Sequence, residues 1–100
     1  MLRHVLLLKL KEGVSATEVA ALDQAFRRLI AEIPAVAEGR VGTAMHLPGS
    51  SGQAADYAVT LDFRHPADFA AYIQDPRHQS FVREVLGPLR ETAWSAQIEL

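Results

Sequence analysis

Residues 2 to 10 alternate with a period of two, which puts Leu6, Leu8 and Leu10 on one face beside His4, and Val5 and Leu7 on the other. That pattern predicts a strand apolar on both faces. Gly13-Val14-Ser15-Ala16-Thr17-Glu18 then reads as a helix start, with Ser15 as N-cap, Glu18 closing a capping box and Val14 placed to staple onto Val19. Val19, Leu22, Phe26, Leu29, Ile30 and Ile33 continue at helical spacing until Pro34 ends the helix. A second strand is expected over roughly Arg40 to Leu47, with Val41, Thr43, Met45 and Leu47 on one face. After the turn-rich loop Pro48 to Gln53, Tyr57, Val59, Leu61 and Phe63 alternate with Asp56, Ala58, Thr60 and Asp62, a third strand paired as a hairpin with the second.

His65-Pro66 opens a second helical region, in which Phe69, Tyr72 and Ile73 form the apolar stripe. Asp75-Pro76 interrupts it, and Asp75 caps a further helix carrying Phe81, Val82, Val85, Leu86 and Leu89, whose end Gly87-Pro88 loosens. Thr92, Trp94, Ala96, Ile98 and Leu100 mark a fourth strand.

The order βαββαβ predicts an α+β, ferredoxin-like domain over residues 1–100. Right-handed crossovers place the first and third strands centrally, the second and fourth at the edges, and both helices on one face of an antiparallel sheet. The other face is left bare, which suits Val5 and Leu7 poorly unless a second sheet covers it. A homodimer is the simplest solution, because an isologous interface reuses one patch on both copies and shields edge strands.

Composition narrows the function. At 100 residues the chain buries only roughly 65% of the surface its unfolded form exposes, so association would add needed stability. Ten basic and twelve acidic side chains give a net charge of -2, with no basic run to follow a phosphate backbone, and nucleic acid is not expected as a partner. With no cysteine there are no disulfides, thiolate metal sites or thiol nucleophile. The apolar run Val5 to Leu8 is too short for a signal peptide's core, and no stretch approaches the roughly 20 apolar residues of a membrane span. The expectation is a cytoplasmic protein off the membrane.

Chemistry concentrates in a few side chains. With Asp75 as cap, His78 is the third helical residue, where the positive end of the helix dipole disfavours an imidazolium. A neutral imidazole there can act as general base on a carbonyl compound, with Tyr72 donating to the developing oxyanion. The plainer alternatives are a His78 that only satisfies helix-end hydrogen bonds, a core Tyr72 and a semi-buried His4. His46 and His65 read as surface or capping residues, and Trp94 as core. No metal is expected, since no ligand-spaced His or carboxylate cluster appears, and neither a nucleophile elbow nor a phosphate loop is present.

Two segments carry a resemblance: Arg3-His4-Val5-Leu6-Leu7-Leu8-Lys9-Leu10-Lys11 followed by Gly13-Val14-Ser15, and Ala71-Tyr72-Ile73-Gln74-Asp75-Pro76-Arg77-His78-Gln79-Ser80-Phe81. Together they resemble the stress-responsive α/β barrel domain family over nearly the whole chain. The resemblance implies a dimeric α+β barrel. The family holds plant stress proteins, bacterial proteins of no known activity and a cofactor-free polyketide cyclase, olivetolic acid cyclase. The cyclase's catalytic tyrosine and histidine correspond to Tyr72 and His78, a further active-site histidine to His4, and a third to Tyr57, where this chain departs. The resemblance thus implies catalytic His78 and Tyr72, with His4 and Tyr57 lining a small-molecule pocket that needs no cofactor. Two function classes remain open: a cyclase- or isomerase-like enzyme on a carbonyl or polyketide-like compound, and a non-catalytic ligand-binding or stress-related dimer. Monooxygenase chemistry of the antibiotic-biosynthesis type ranks third, because it shares the architecture without the tyrosine-proline-histidine segment.

Overall fold

The computed structural model describes every residue except Ser51 and Gln53, so that part of the expected 48–53 loop lies outside the described residues. The chain runs β1 (Leu2–Leu10), α1 (Ala16–Glu32), β2 (Glu38–Thr43), β3 (Tyr57–Phe63), α2 (Pro66–Gln74) and α3 (Pro76–Phe81). A π-helical turn (Val82–Leu86) and a last helical turn, α4 (Gly87–Leu89), lead into β4 (Arg90–Glu99). The strands form one antiparallel sheet in the order β2-β3-β1-β4, the ferredoxin-like arrangement expected from the element order.

Local chemistry accounts for the element ends. Ser15 Oγ accepts from the Glu18 amide while the Glu18 carboxylate accepts from the Ser15 amide, closing the capping box that starts α1. Pro76, which has no N–H, breaks the helical run after Gln74, and the Asp75 carboxylate caps the restart by accepting from the Arg77 amide. The π turn falls just before Gly87-Pro88. There a Cβ on residue 87 would sit 2.9 Å from the Val82 carbonyl oxygen.

The core lies between the helices and one face of the sheet. Leu22, Phe26 and Leu29 of α1 pack with Leu8 and Leu10 of β1 and with Tyr57, Val59, Leu61 and Phe63 of β3. Gly39 lets α1 approach β2 closely: a Cβ there would lie 2.9 Å from Ile30 Cγ2 and 3.0 Å from Leu61 Cδ2.

The strand pairings sort the helix-free face into rows. One row holds Glu38, Asp62, Arg3 and Ile98, the next Arg40, Thr60, Val5 and Ala96, and the third Gly42, Ala58, Leu7 and Trp94. The first row is ionic on three strands, with Arg3 Nε donating to Asp62 Oδ1 at 2.7 Å and Arg3 Nη2 to Oδ2 at 3.0 Å. The remainder is largely small or apolar.

Three expectations are corrected. The second strand is shorter and earlier than Arg40 to Leu47: its last pairing is Thr43 with Tyr57, and Met45 and Leu47 are exposed in the connection to β3. Their alternation is therefore not a strand face. Trp94 is not core either, for it is 44% exposed on the helix-free face beside Leu7 (39%), with Ile98 (48%) on the same side of β4. The alternation of β4 was legible, but its apolar side is turned away from the helices. Ile73, expected in the stripe of α2, is also exposed.

Candidate functional site

His4 sits on the helix-facing side of β1, opposite Leu61 on β3 and Gln97 on β4. Its ring lies 5.1 Å from that of Phe69 on α2, and Phe69 meets Phe63 edge-on at 5.5 Å. Phe63 is 5.5 Å from Tyr72, whose ring lies 4.4 Å from that of His78. Three of the four expected residues, His4, Tyr72 and His78, thus belong to one continuous aromatic cluster formed by β1, β3, α2 and α3.

Tyr57 stands apart from it. It lies four residues along β3 from Leu61, about 13 Å at the rise of a strand. Its hydroxyl donates to Asp23 Oδ1 at 2.6 Å and its ring stacks on Phe26 at 5.6 Å. Arg27 Nε donates to the other Asp23 oxygen at 2.8 Å, so Asp23 ties Tyr57 to α1. Burial and the Asp23 carboxylate push the Tyr57 phenol well up, and the ring serves as a buried strut between sheet and helix.

The break at Asp75-Pro76 orients His78. Helix α2 ends with carbonyls that have no amide partner within the helix, and the His78 Nδ1–H donates to one of them, the Ile73 oxygen, at 3.2 Å. A carbonyl can only accept, so the proton is on Nδ1 and the Nε2 lone pair is bare. Burial, together with neighbouring His4, lowers the His78 pKa against the opposing pull of the Ile73 carbonyl and Asp75. The ring is neutral near pH 7. Burial pushes the Tyr72 phenol well up, so it remains a protonated donor.

Tyr72 Oη, His78 Nε2 and His4 Nε2 have no hydrogen-bond partner among the described residues, whereas His4 Nδ1 is 2.6 Å from Gln97 Oε1. No described side-chain nitrogen or oxygen is both sealed from solvent and unpartnered. These three atoms therefore reach solvent, although Tyr72 is only 3% and His4 only 7% exposed. Polar atoms left open at the edge of an aromatic cluster are free to bond water or a small ligand.

Among the described residues, the two largest cavities given by the structure lie away from the four expected residues. A cavity of about 490 Å³ lies at the far end of β1, around Lys9, Lys11, His46, Asp56 and Glu91. Another, of about 400 Å³ and largely apolar, is walled by Leu7, Ala58 and Trp94 on the helix-free face. Neither has His4, Tyr72, His78 or Tyr57 in its wall. Gln97 was missed in the sequence, where only its alternation with Trp94 and Ile98 was visible. The register of β1 against β4 makes it a neighbour of His4. His65 stands at the N-cap of α2 without a side-chain capping bond, and His46 is exposed. Among the described residues no group of three or more His, Asp or Glu side chains could hold a metal ion, and no helix is long and apolar enough to cross a membrane.

The chain matches the family described as Stress responsive A/B Barrel Domain over residues 2–99. Among solved structures it is similar to a dimeric ferredoxin-like protein of unknown function from Thermobifida fusca, at 25% identity and a TM-score of 0.86, covering 99% of this chain and 90% of that one. A ferredoxin-like protein of the same family from Mesorhizobium loti gives 18% identity and a TM-score of 0.86 over 99% and 95% of the two chains. A hydroxynitrile lyase from Passiflora edulis gives 20% identity and a TM-score of 0.86 over 99% and 92%. No curated protein sequence matches.

Proposed function

The chain belongs to the stress-responsive α/β barrel domain family, and from that premise we propose that it works in the cytoplasm as a homodimer that holds a small carbonyl compound at Tyr72 and His78 and enolises it without a cofactor. The observation behind this reading is the unpartnered Tyr72 hydroxyl set against a neutral imidazole whose bare Nε2 faces no protein acceptor or donor. His78 Nε2 would take the proton alpha to the carbonyl, and the Tyr72 O–H would donate to the oxygen as negative charge gathers there. The proton held on His78 Nε2 then exchanges with solvent, and a proton returns from the same imidazole to the alpha carbon or to a conjugated one. His4 completes the polar edge. That this fold also houses a hydroxynitrile lyase is compatible with chemistry at a carbonyl carbon.

The dimer reading rests on the helix-free face, where Leu7, Trp94 and Ile98 are exposed beside Val5, Ala58 and Ala96 in one apolar patch of the kind that marks an interface. A second copy of the same face covers it with a single two-fold operation. The structural relative from Thermobifida fusca is described as dimeric, which supports the same assembly.

The test is deuterium exchange of the alpha hydrogens of simple alkyl and aryl ketones in D₂O, followed by proton NMR. The wild type should exchange at least one ketone faster than buffer. His78→Ala should remove about 10²–10⁴-fold of that rate and Tyr72→Phe about 10²–10³-fold. A second reading, a dimer that binds without turnover, is favoured by the near-complete burial of Tyr72 and His4 behind Phe63 and Phe69. A folded dimer that binds ketones at this cluster yet exchanges none would establish that reading over the first.

A further inference from the structure

Gln97 has no place in the proposal above, yet it makes the shortest polar contact in the cluster. Its Oε1 lies 2.6 Å from His4 Nδ1. Its backbone is fixed by the β1–β4 register, in which Gln97 is directly opposite His4. An amide oxygen accepts and cannot donate, so this contact requires the His4 proton on Nδ1. His78 is held in the same form by the Ile73 carbonyl. The two rings therefore carry their lone pairs on Nε2, one at each end of the aromatic cluster that has the Tyr72 hydroxyl within it.

We infer that Gln97 is a positioning residue that fixes the His4 tautomer, and that the site it completes takes a neutral hydroxy-carbonyl compound with a flat apolar body rather than a carboxylate. The inference rests on Tyr72 and His78 forming a ligand site, as proposed above, and adds the chemical class of the ligand. An imidazole lone pair calls for a hydrogen-bond donor such as a hydroxyl, and the Tyr72 O–H calls for one acceptor, a carbonyl oxygen. Phe63 and Phe69 provide the apolar wall. A carboxylate has only acceptor atoms and would face two lone pairs, a mismatch in a site with no arginine or lysine in the cluster. Glutamine suits this arrangement better than a carboxylate would, because it orients the ring without adding negative charge beside it.

The experiment has two parts on the full chain. Nitrogen-15 NMR of the imidazoles, assigned with His4→Gln and His78→Gln variants, reads the tautomers without ligand. The wild type should show His4 protonated on Nδ1. Gln97→Leu should shift the ring to the Nε2–H form or a mixture, while Gln97→Glu, which keeps an acceptor, should restore Nδ1–H. His4 found protonated on Nε2 in the wild type, meaning the amide donates instead, overturns the role of Gln97. So does a tautomer indifferent to Gln97→Leu.

The second part titrates 2-hydroxyacetophenone and benzoate against the wild type, reading shifts at His4 and His78. The hydroxy ketone should bind at least about tenfold more tightly, and Gln97→Leu should erase most of that margin. Equal or tighter binding of benzoate overturns the ligand class. If neither compound moves His4 or His78, the binding site itself is refuted and the ligand class with it. The tautomer result without ligand still decides the role of Gln97.

Discussion

Replacing Trp94 by alanine should dissociate the proposed dimer while leaving each copy folded. Trp94 is 44% exposed on the helix-free face. Taking an indole side chain at the upper end of the 150–250 Å² that aromatics bury, about 100 Å² of it stays wet in an isolated copy. Covered by a partner, that area is worth about 2.5 kcal/mol at 25 cal/mol per Å². A two-fold interface counts it twice, and alanine keeps a little of it, so the loss per dimer is about 4 kcal/mol. The dimer dissociation constant should rise about 10³-fold. Only the difference between variant and wild type is used, because absolute conversion of area to affinity fails for protein partners. Sedimentation equilibrium over a dilution series distinguishes the 11.0 kDa chain from its pair. Far-ultraviolet circular dichroism should show little change in fold, since Trp94 contributes no buried core contact. A wild type that sediments as a single chain at micromolar concentration refutes the reasoning, as does a Trp94→Ala dimer of unchanged affinity.

Other outcomes follow from single contacts. Leu7→Asp, set directly across from Trp94, should place an unpaired carboxylate in the covered face. Emission from the chain's one tryptophan should then shift to the red at concentrations where the wild type stays blue-shifted. Gly39→Ala should cost about 1–3 kcal/mol in urea unfolding, because Ile30 and Leu61 must move to admit the methyl group. Tyr57→Phe should lose about 1 kcal/mol by removing the bond to Asp23, yet leave ketone exchange intact. The Arg77 guanidinium and amide hold the Asp75 carboxyl down to about 2. Its stabilising effect is therefore complete above the unfolded carboxylate value near about 4 and is lost as pH falls through about 2. Asp75→Asn should flatten that part of the acid limb. The folded state also resists protonating His78, so stability should fall as pH drops below 6.5, and the titration midpoint of its ring should lie below that value.

Period and capping made most of the fold legible. Ser15 and Glu18 announced the start of α1, Asp75-Pro76 announced the restart at α3, and the order of elements fixed the topology. Met45 and Leu47 misled because alternation near a strand end is indistinguishable from a strand until a partner strand stops pairing with it. Trp94 misled because alternation reveals that a strand has an apolar side without revealing which layer that side meets. The site was legible in part for a similar reason. Tyr72 and His78 are six residues apart across a proline break, so local geometry brings them together. His4 joins through strand order. Tyr57 and Gln97 exchanged importance because tertiary contacts are invisible in a single chain: helix packing brings Tyr57 to Asp23, and the β1–β4 register brings Gln97 to His4.

The row of charges across one end of the bare face has a consequence for partner choice. Glu38 and Asp62 bring two carboxylates and Arg3 a guanidinium to a border beside a largely apolar patch, with Arg40 of the next row paired to Glu38. In the proposed dimer, a twin that seated one of these charges on an apolar row would strip it of water with nothing to answer it. The border thus acts as a keyed margin. In the proposed dimer it penalises alignments that bury its charges unpaired.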